Sequence, residues 1–126
     1  MSDMYTERLL DHYRHPRNQG HLHSADLSAE EYNPLCGDRV RVELGTEDGT
    51  VVDAGFTGRG CALCLGSASI LTEAIKGRTL KELQALGKDE FLAELESAVR
   101  PARLKCVLLP WVAFRRAAFG DGEWPL

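Results

Sequence analysis

The residues of this chain best suited to chemistry are its four cysteines: Cys36, Cys61, Cys64 and Cys106. Glycines flank two of them, since Gly37 follows Cys36 and Gly60 precedes Cys61, and they allow the backbone to turn sharply beside the sulfur. A thiolate is both the nucleophilic and the metal-binding form of cysteine. In a reducing compartment, four cysteines indicate a metal site or a reactive thiol centre rather than structural disulfides.

Asp38 adds a carboxylate to three of these thiols. It lies two residues after Cys36, and alternate residues of an extended segment point the same way. The two side chains can therefore share a metal ion, and Cys61 and Cys106 would complete a tetrahedral zinc shell of three sulfurs and one oxygen.

Ordinary structural roles compete with this interpretation. Free cysteines often pack as small hydrophobic side chains, and Asp38 can be a solvated loop acid. His21 and His23 share one face of an extended segment and could approach a metal, but their polar surroundings favour a solvated loop.

Cys61 and Cys64 form a Cys-x-x-Cys pair at a predicted helix start, which is the placement of a thioredoxin-type redox pair. The βαβ context and the flanking Trp and Pro of that fold are missing. The pattern favours Cys64 as a packing residue, and it leaves open a spare thiol that accepts sulfur or substitutes as a ligand.

A hairpin is expected to carry the first site residues. Apolar and polar residues alternate over 39–44, which predicts a half-buried strand. Asp48 and Gly49 favour a tight turn, and 51–56 returns as the partner strand. Since two strands alone are marginal, a third is expected within 20–35.

Helices are predicted over 3–14, over 61–75 and after Pro101. Because proline is tolerated in the first turn of a helix and costly in its interior, Pro110 places Cys106 near the start of the last helix. The backbone N–H groups at such a start favour anions.

The strands precede most of the helices. This order predicts an α+β class, with a small antiparallel sheet of about three strands and helices packed on one face. The length of 126 residues suits a single domain over 1–126, ending in a flexible tail at 120–126.

Composition narrows the function classes. The net charge of −4 argues against nucleic acid and membrane surfaces as partners. No apolar run reaches the roughly 18 residues of a membrane span, and the first 14 residues lack the apolar core of a signal peptide. A cytoplasmic location is expected.

Four motifs resemble one known family. They are residues 11–20, 36–38, 56–62 and 67–73, and in this order they are similar to the iron–sulfur cluster assembly scaffolds (IscU, SufU and the N-terminal domain of NifU). The resemblance extends over about 5–119. It implies an α+β fold, a [2Fe–2S] or zinc site at one end, and a cysteine desulfurase as partner.

The resemblance also assigns roles. Cys36, Cys61 and Cys106 correspond to the functional thiols of the family, and each is a candidate sulfur acceptor. Asp38 corresponds to the aspartate that is a zinc ligand in SufU-type members and tunes cluster lability in IscU-type members. Loop mobility makes Cys36 the first choice as acceptor.

Two departures from the IscU type stand out. Lys105, a possible auxiliary residue, occupies the position at which IscU-type members have a histidine before the third cysteine. Residues 100–105 replace the Leu-Pro-Pro-Val-Lys segment that a dedicated Hsp70 chaperone recognises in those members. Such a chaperone is therefore not an expected partner. Residues 103–106 are similar to the SufU type, but the 44 residues between Cys61 and Cys106 leave no room for the SufU insertion.

The leading hypothesis is a scaffold that accepts sulfur from a cysteine desulfurase and assembles a transient [2Fe–2S] cluster for transfer to apo iron–sulfur proteins. The alternative is a zinc-dependent sulfurtransferase that relays persulfide sulfur, in which case the chain is an enzyme. A thiol–disulfide oxidoreductase using Cys61 and Cys64 is the less favoured third hypothesis, and an inert structural zinc domain is a fourth.

Overall fold

A computed structural model describes residues 6–34, 37–96 and 99–121 of the chain. The elements in chain order are α1 (Glu7–Arg14), β1 (Leu27–Asn33), β2 (Asp38–Glu47), β3 (Thr50–Arg59), α2 (Ala62–Ile75), α3 (Leu80–Leu83), α4 (Lys88–Glu94), a 3₁₀ turn (Pro101–Arg103) and α5 (Leu104–Phe119). This arrangement confirms the predicted α+β class. Residues 3–5 of the first predicted helix and 122–126 of the predicted tail lie outside the described ranges.

The sheet is antiparallel with the order β1-β2-β3. Asp48 and Gly49 join β2 to β3, and their φ angles of 51° and 78° are those of the two-residue turn that Asp-Gly favours. The third strand expected within 20–35 is β1. The hairpin predicted from the alternating apolar and polar residues is therefore present. Its strands are longer than the predicted 39–44 and 51–56.

Helices cover one face of this sheet. Val40, Val42 and Leu44 of β2 are fully buried in the main apolar cluster. Helix α5 packs on β1 and β2, α2 packs on β3 and α5, and α1 packs on α2. In the described ranges, no helix has the length and apolar character needed to cross a membrane.

The opposite face is crossed by the segment 18–26. It bonds to the edge of β3 at Phe56. The N–H of Phe56 donates to the carbonyl of Asn18, and the N–H of Gly20 donates to the carbonyl of Phe56. It then reaches β2, where the N–H of Asp26 donates to the carbonyl of Leu44. This covering segment buries part of a face that the sequence pattern marks as polar.

Glu43 lies under that segment and is 6% exposed. Its carboxylate accepts hydrogen bonds of 2.8–2.9 Å from the N–H of Leu22 and from Arg41, and it pairs with His21 Nδ1 at 2.8 Å. Burial raises the pKa of Glu43, but the bonds from Leu22, His21 and Arg41 outweigh this and hold it at about 2.

Pro110 is not where the sequence reasoning put it. It is the seventh residue of α5 and lies inside the helix, not in the first turn. Having no N–H, it cannot donate to the carbonyl of Cys106, four residues earlier. Cys106 is nevertheless the third residue of α5, as expected, because Pro101 begins the 3₁₀ turn that leads into the helix.

The close approach of β2 and β3 at Gly58 leads to a stability prediction. A Cβ at Gly58 would lie 2.3 Å from the carbonyl oxygen of Arg39, a backbone atom that cannot move without separating the strands. Gly58→Ala should lower the free energy of unfolding by about 1–3 kcal/mol in urea unfolding. Gly45→Ala is the matched control, since its Cβ would meet its nearest atom at 3.5 Å. Equal losses of unfolding free energy in Gly58→Ala and Gly45→Ala would contradict the close approach of the strands at Gly58.

Glu43 leads to a pH prediction. Its folded-state pKa of about 2 lies below the ordinary value of 4.5, so its stabilisation is complete above pH 4.5 and is lost as the pH falls towards 2. A shift of this size corresponds to about 3 kcal/mol. Glu43→Gln should therefore reduce the acid-induced loss of stability in urea unfolding between pH 7 and pH 2.5, by at most about 3 kcal/mol. Glu30→Gln, an exposed change on β1, should leave it in place. An unchanged slope in Glu43→Gln would refute the assignment.

Candidate metal centre

Asp38 begins β2 at the end of the sheet where β1 finishes. Asn33, the last residue of β1, is its register partner. Gly37 has a φ of 77° and donates its N–H to the carbonyl of Asn33 at 2.8 Å, a left-handed conformation that favours glycine. Asp38 is only 5% exposed, so its carboxylate faces the interior of this end of the molecule.

Cys61 reaches Asp38 through the pairing of β2 with β3. Arg39 and Arg59 are register partners, so the residues next to them, Asp38 and Gly60, come side by side. Cys61 is half-buried and is the N-cap residue of α2. Its thiol lies 3.9 Å from Oδ2 of Asp38, within reach of a weak S–H···O bond.

Cys106 closes the group from α5. One potential ligand atom each from Asp38, Cys61 and Cys106 lies within 4.8 Å of the others. Ligand atoms around a tetrahedral zinc ion are roughly 3.5–4 Å apart, so a small contraction would bring these three into a coordination shell. Two thiolates with one carboxylate suit zinc or iron, and the residues present therefore fit such a metal.

The other predicted site residues fall into three cases. Cys36 lies outside the described residues, and its role as a ligand stays a prediction. Cys64 is fully buried in α2 and does not belong to the ligand group found within the described part of the chain. Lys105 is half-buried beside Cys106 as the second residue of α5.

The N-terminal histidines lie away from this group. His21 pairs with Glu43 on the outer face of the sheet, and His23 lines a shallow cavity near Gly45. His12, which the sequence reasoning did not single out, is buried, and its Nδ1 lies 2.7 Å from the hydroxyl of Ser69. Burial lowers the pKa of His12 below its ordinary value, and nearby arginines add to the effect.

Gly60 is a site residue whose specific contact the sequence did not reveal. A Cβ there would lie 3.0 Å from Sγ of Cys64 and 3.2 Å from Cγ of Asp38. The backbone before Cys61 therefore lies close to both side chains, and any residue larger than glycine would crowd them. The glycines at 58 and 60 before Cys61 were the only signal of such a close approach.

Four basic residues are close to the site residues in the chain or in the sheet, although the chain as a whole carries a net charge of −4. Arg39 and Arg59 lie opposite each other on β2 and β3, and both are exposed. Arg103 and Lys105 precede Cys106 in the chain. A locally positive surface attracts anionic groups such as thiolates and persulfides.

Comparison with known proteins finds relatives that match nearly the whole chain. The family model described as NifU-like N terminal domain matches residues 4–120. The zinc-dependent sulfurtransferase SufU of Bacillus subtilis is 32% identical, and the match covers 92% of this chain and 90% of that protein. The iron–sulfur cluster assembly scaffold protein IscU of Escherichia coli K12 is 34% identical over 90% of each chain.

Solved structures show the same fold. The crystal structure of a NifU-like protein (N-terminal) from Brucella abortus superposes with a TM-score of 0.75 at 26% identity, covering 91% of this chain and 92% of that one. The SufU-type protein of Fervidobacterium islandicum AW-1 gives a TM-score of 0.74 at 26% identity, covering 91% and 96%.

The lengths of the matches distinguish the two types of relative. The SufU match extends over 133 residues, although 92% of this 126-residue chain is only about 116, so SufU has residues without a counterpart here. The Escherichia coli IscU match extends over 117 residues. This difference in match length agrees with the short spacing of 44 residues between Cys61 and Cys106, which leaves no room for a SufU-sized insertion. The chain belongs to the NifU-like N-terminal domain family, the iron–sulfur cluster assembly scaffolds that include IscU and SufU.

Proposed function

We propose that this chain accepts sulfur from a cysteine desulfurase and assembles a transient [2Fe–2S] cluster for transfer to apo iron–sulfur proteins. The observation that supports this best is the group formed by Asp38, Cys61 and Cys106, whose ligand atoms lie within 4.8 Å of one another at one end of the fold. Cys36 is the fourth member of the proposed site, assigned from the sequence alone.

Sulfur enters by thiol chemistry. A cysteine thiolate of this chain attacks the terminal sulfur of the persulfide on the desulfurase, a new S–S bond forms, and the desulfurase cysteine leaves as a thiolate. Cys36, the first choice as acceptor from the sequence, lies outside the described residues. Among the cysteines that the structure describes, Cys61 is the accessible one, because Cys64 and Cys106 are buried. Exposed Arg39 and Arg59 supply positive charge beside it, which favours the approach of an anionic persulfide.

Iron and sulfide are the substrates of the assembly step, and the cluster is its product. Three thiolates from Cys36, Cys61 and Cys106 would hold the cluster, with Asp38 as the remaining ligand or as a group that controls release. A carboxylate suits cluster iron less well than a thiolate does. A cluster held in this way is therefore expected to leave for an acceptor that offers four thiolates.

A second function, zinc-dependent sulfur transfer, is supported by the same donor set. Two thiols and a carboxylate near one another suit zinc, and the Bacillus subtilis relative is named a zinc-dependent sulfurtransferase. Zinc held by Cys36, Asp38, Cys61 and Cys106 would keep the thiols deprotonated. In this version the chain relays persulfide sulfur and builds no cluster.

Zinc affinity tests the ligand set common to both functions. Asp38→Ala and Cys61→Ser should each weaken zinc binding at least about tenfold, because each removes a direct donor, and loss of even an outer partner of a ligand costs that much. Competition with a chromophoric chelator measures the affinity at pH 7.5. Asp53→Ala, an exposed aspartate on β3, is the matched control. Parental affinity in Asp38→Ala and Cys61→Ser would exclude this ligand set.

Anaerobic reconstitution separates the two functions. The purified chain is incubated with a cysteine desulfurase, cysteine and ferrous iron, and the visible spectrum is followed. Formation of a cluster that transfers to an apo-ferredoxin supports the scaffold. Persulfide on the chain without a cluster supports the sulfurtransferase, and neither product would defeat both proposals.

A further inference from the structure

We propose that Cys64 is a resolving thiol that converts sulfur held on Cys61 into hydrogen sulfide by forming a Cys61–Cys64 disulfide. The inference rests on the proposed function, since it requires that sulfur arrives on Cys61, and it deepens that function by naming a source of electrons. Cluster assembly consumes sulfide, whereas a desulfurase delivers sulfur in the more oxidised persulfide form. Cys64 would carry out this reduction within the chain.

The helix start places the two thiols on one turn. Cys61 is the N-cap residue of α2, with φ and ψ of −74° and 173°, and Cys64 is the third helical residue after it. The carbonyl of Cys61 accepts the N–H of Leu65 at 3.0 Å, which closes this turn. The thiol of Cys61 makes no capping hydrogen bond, but an N-cap side chain is a close neighbour of the second and third helical residues. In this helix the third residue is Cys64.

The orientation of Cys64 is fixed by its contact with Gly60. Helical side chains tilt towards the N-terminus of the helix, and a Cβ added to Gly60 would lie 3.0 Å from both Cβ and Sγ of Cys64. The sulfur of Cys64 therefore lies beside the backbone that leads into Cys61. Residues three apart on a helix have Cβ atoms roughly 5–6 Å apart, and disulfides need about 3.5–4.5 Å. The non-helical N-cap residue can supply this adjustment by a small rotation.

Exposure assigns the two thiols different roles. Cys61 is half-buried and can be reached by a sulfur donor, whereas Cys64 is fully buried behind it. A protein-sized donor can therefore load Cys61 and is kept away from Cys64. The buried thiol meets the delivered sulfur only after transfer to Cys61.

The step balances without an added reductant. The sulfur of Cys64 attacks Sγ of the Cys61 persulfide, the Sγ–Sγ bond forms, and the bond from Cys61 Sγ to the delivered sulfur breaks. The delivered sulfur leaves with the electron pair and takes up the proton of the Cys64 thiol, giving hydrogen sulfide. The two cysteines are oxidised to a disulfide, which an external dithiol must reduce by thiol–disulfide exchange before the next cycle.

Cys106 is the competing partner for Cys61. Its ligand atom lies within 4.8 Å of that of Cys61, so proximity alone does not select Cys64. The shared helical turn and the contact of Cys64 Sγ with the Gly60 position favour Cys64, because a disulfide within one turn requires no movement of α5 relative to α2. The test must therefore identify which cysteines are joined.

The experiment uses glutathione persulfide as the sulfur donor, without desulfurase or iron. The reduced chain is loaded, small molecules are removed by gel filtration, and sulfide release is followed colorimetrically. The wild-type chain should release about one equivalent of sulfide per chain, and its peptide map should show a Cys61–Cys64 disulfide with the mass of two hydrogens lost. Cys64→Ala should retain the persulfide on Cys61 and release sulfide at least about tenfold more slowly.

Cys64→Ser repeats the test in case the alanine variant leaves a destabilising cavity, and thermal melting confirms that each variant is folded. Ser67→Ala removes another buried polar side chain of α2 one turn further on and is the matched control. Wild-type release in both Cys64 variants, a Cys61–Cys106 disulfide, or a Cys61 that takes up no sulfur would overturn the proposal. Because no desulfurase or iron is present, these outcomes are independent of the reconstitution that tests the proposed function.

Discussion

Asp38 and Cys61 are 23 positions apart in the chain and meet because Arg39 pairs with Arg59 across β2 and β3. Side chains alternate between the two faces of a sheet, so a slip of one residue in this register would turn every side chain of one strand to the opposite face. The apolar residues of β2 resist such a slip, since Val40 and Val42 would leave the core. Burial of the core thus fixes the position of the carboxylate relative to the thiol.

The position of Cys106, the third member of this group, depends on the same packing through a different element. Helix α5 lies on β1 and β2, and all nine residues from Cys106 to Phe114 are buried. Pro110 removes one backbone hydrogen bond from this helix. Burial of the continuous apolar surface stabilises the helix by more than that bond would. A helix held this firmly places Cys106 at the end of the sheet where Asp38 and Cys61 lie. The arrangement of Asp38, Cys61 and Cys106 is therefore a product of the core.

Elements with a local residue pattern can be predicted from the sequence. The burial of a residue cannot be predicted in this way when a segment distant in the chain covers it. The β2–β3 hairpin follows from alternation and from Asp48–Gly49. The strand β1 carries little such signal, because its inward position at Glu31 is filled by an acid that pairs with Arg116 of α5 at 2.9 Å. Glu43 stands at a polar position of β2 and is nevertheless buried, because 18–26 crosses that face. Motif resemblance assigned Cys61, Cys106 and Asp38 to one site, and the structure brings their ligand atoms within 4.8 Å of one another. No pattern in the sequence could show that Cys64 lies beside Gly60.

The contact at Gly60 links metal binding to thiol redox chemistry at a single turn. Cys61 belongs to the group with Asp38 and Cys106, and it also lies one helical turn from Cys64. One sulfur atom cannot be a thiolate ligand and half of a disulfide at the same time. Formation of a Cys61–Cys64 disulfide would therefore remove one donor from the metal site, and a metal bound to Cys61 would protect that thiol from oxidation. If Cys61 serves both as a metal ligand and as a partner of Cys64, the chain cannot release sulfide and hold a metal at the same time. Reduction of the Cys61–Cys64 disulfide would then determine when the site can bind a metal again.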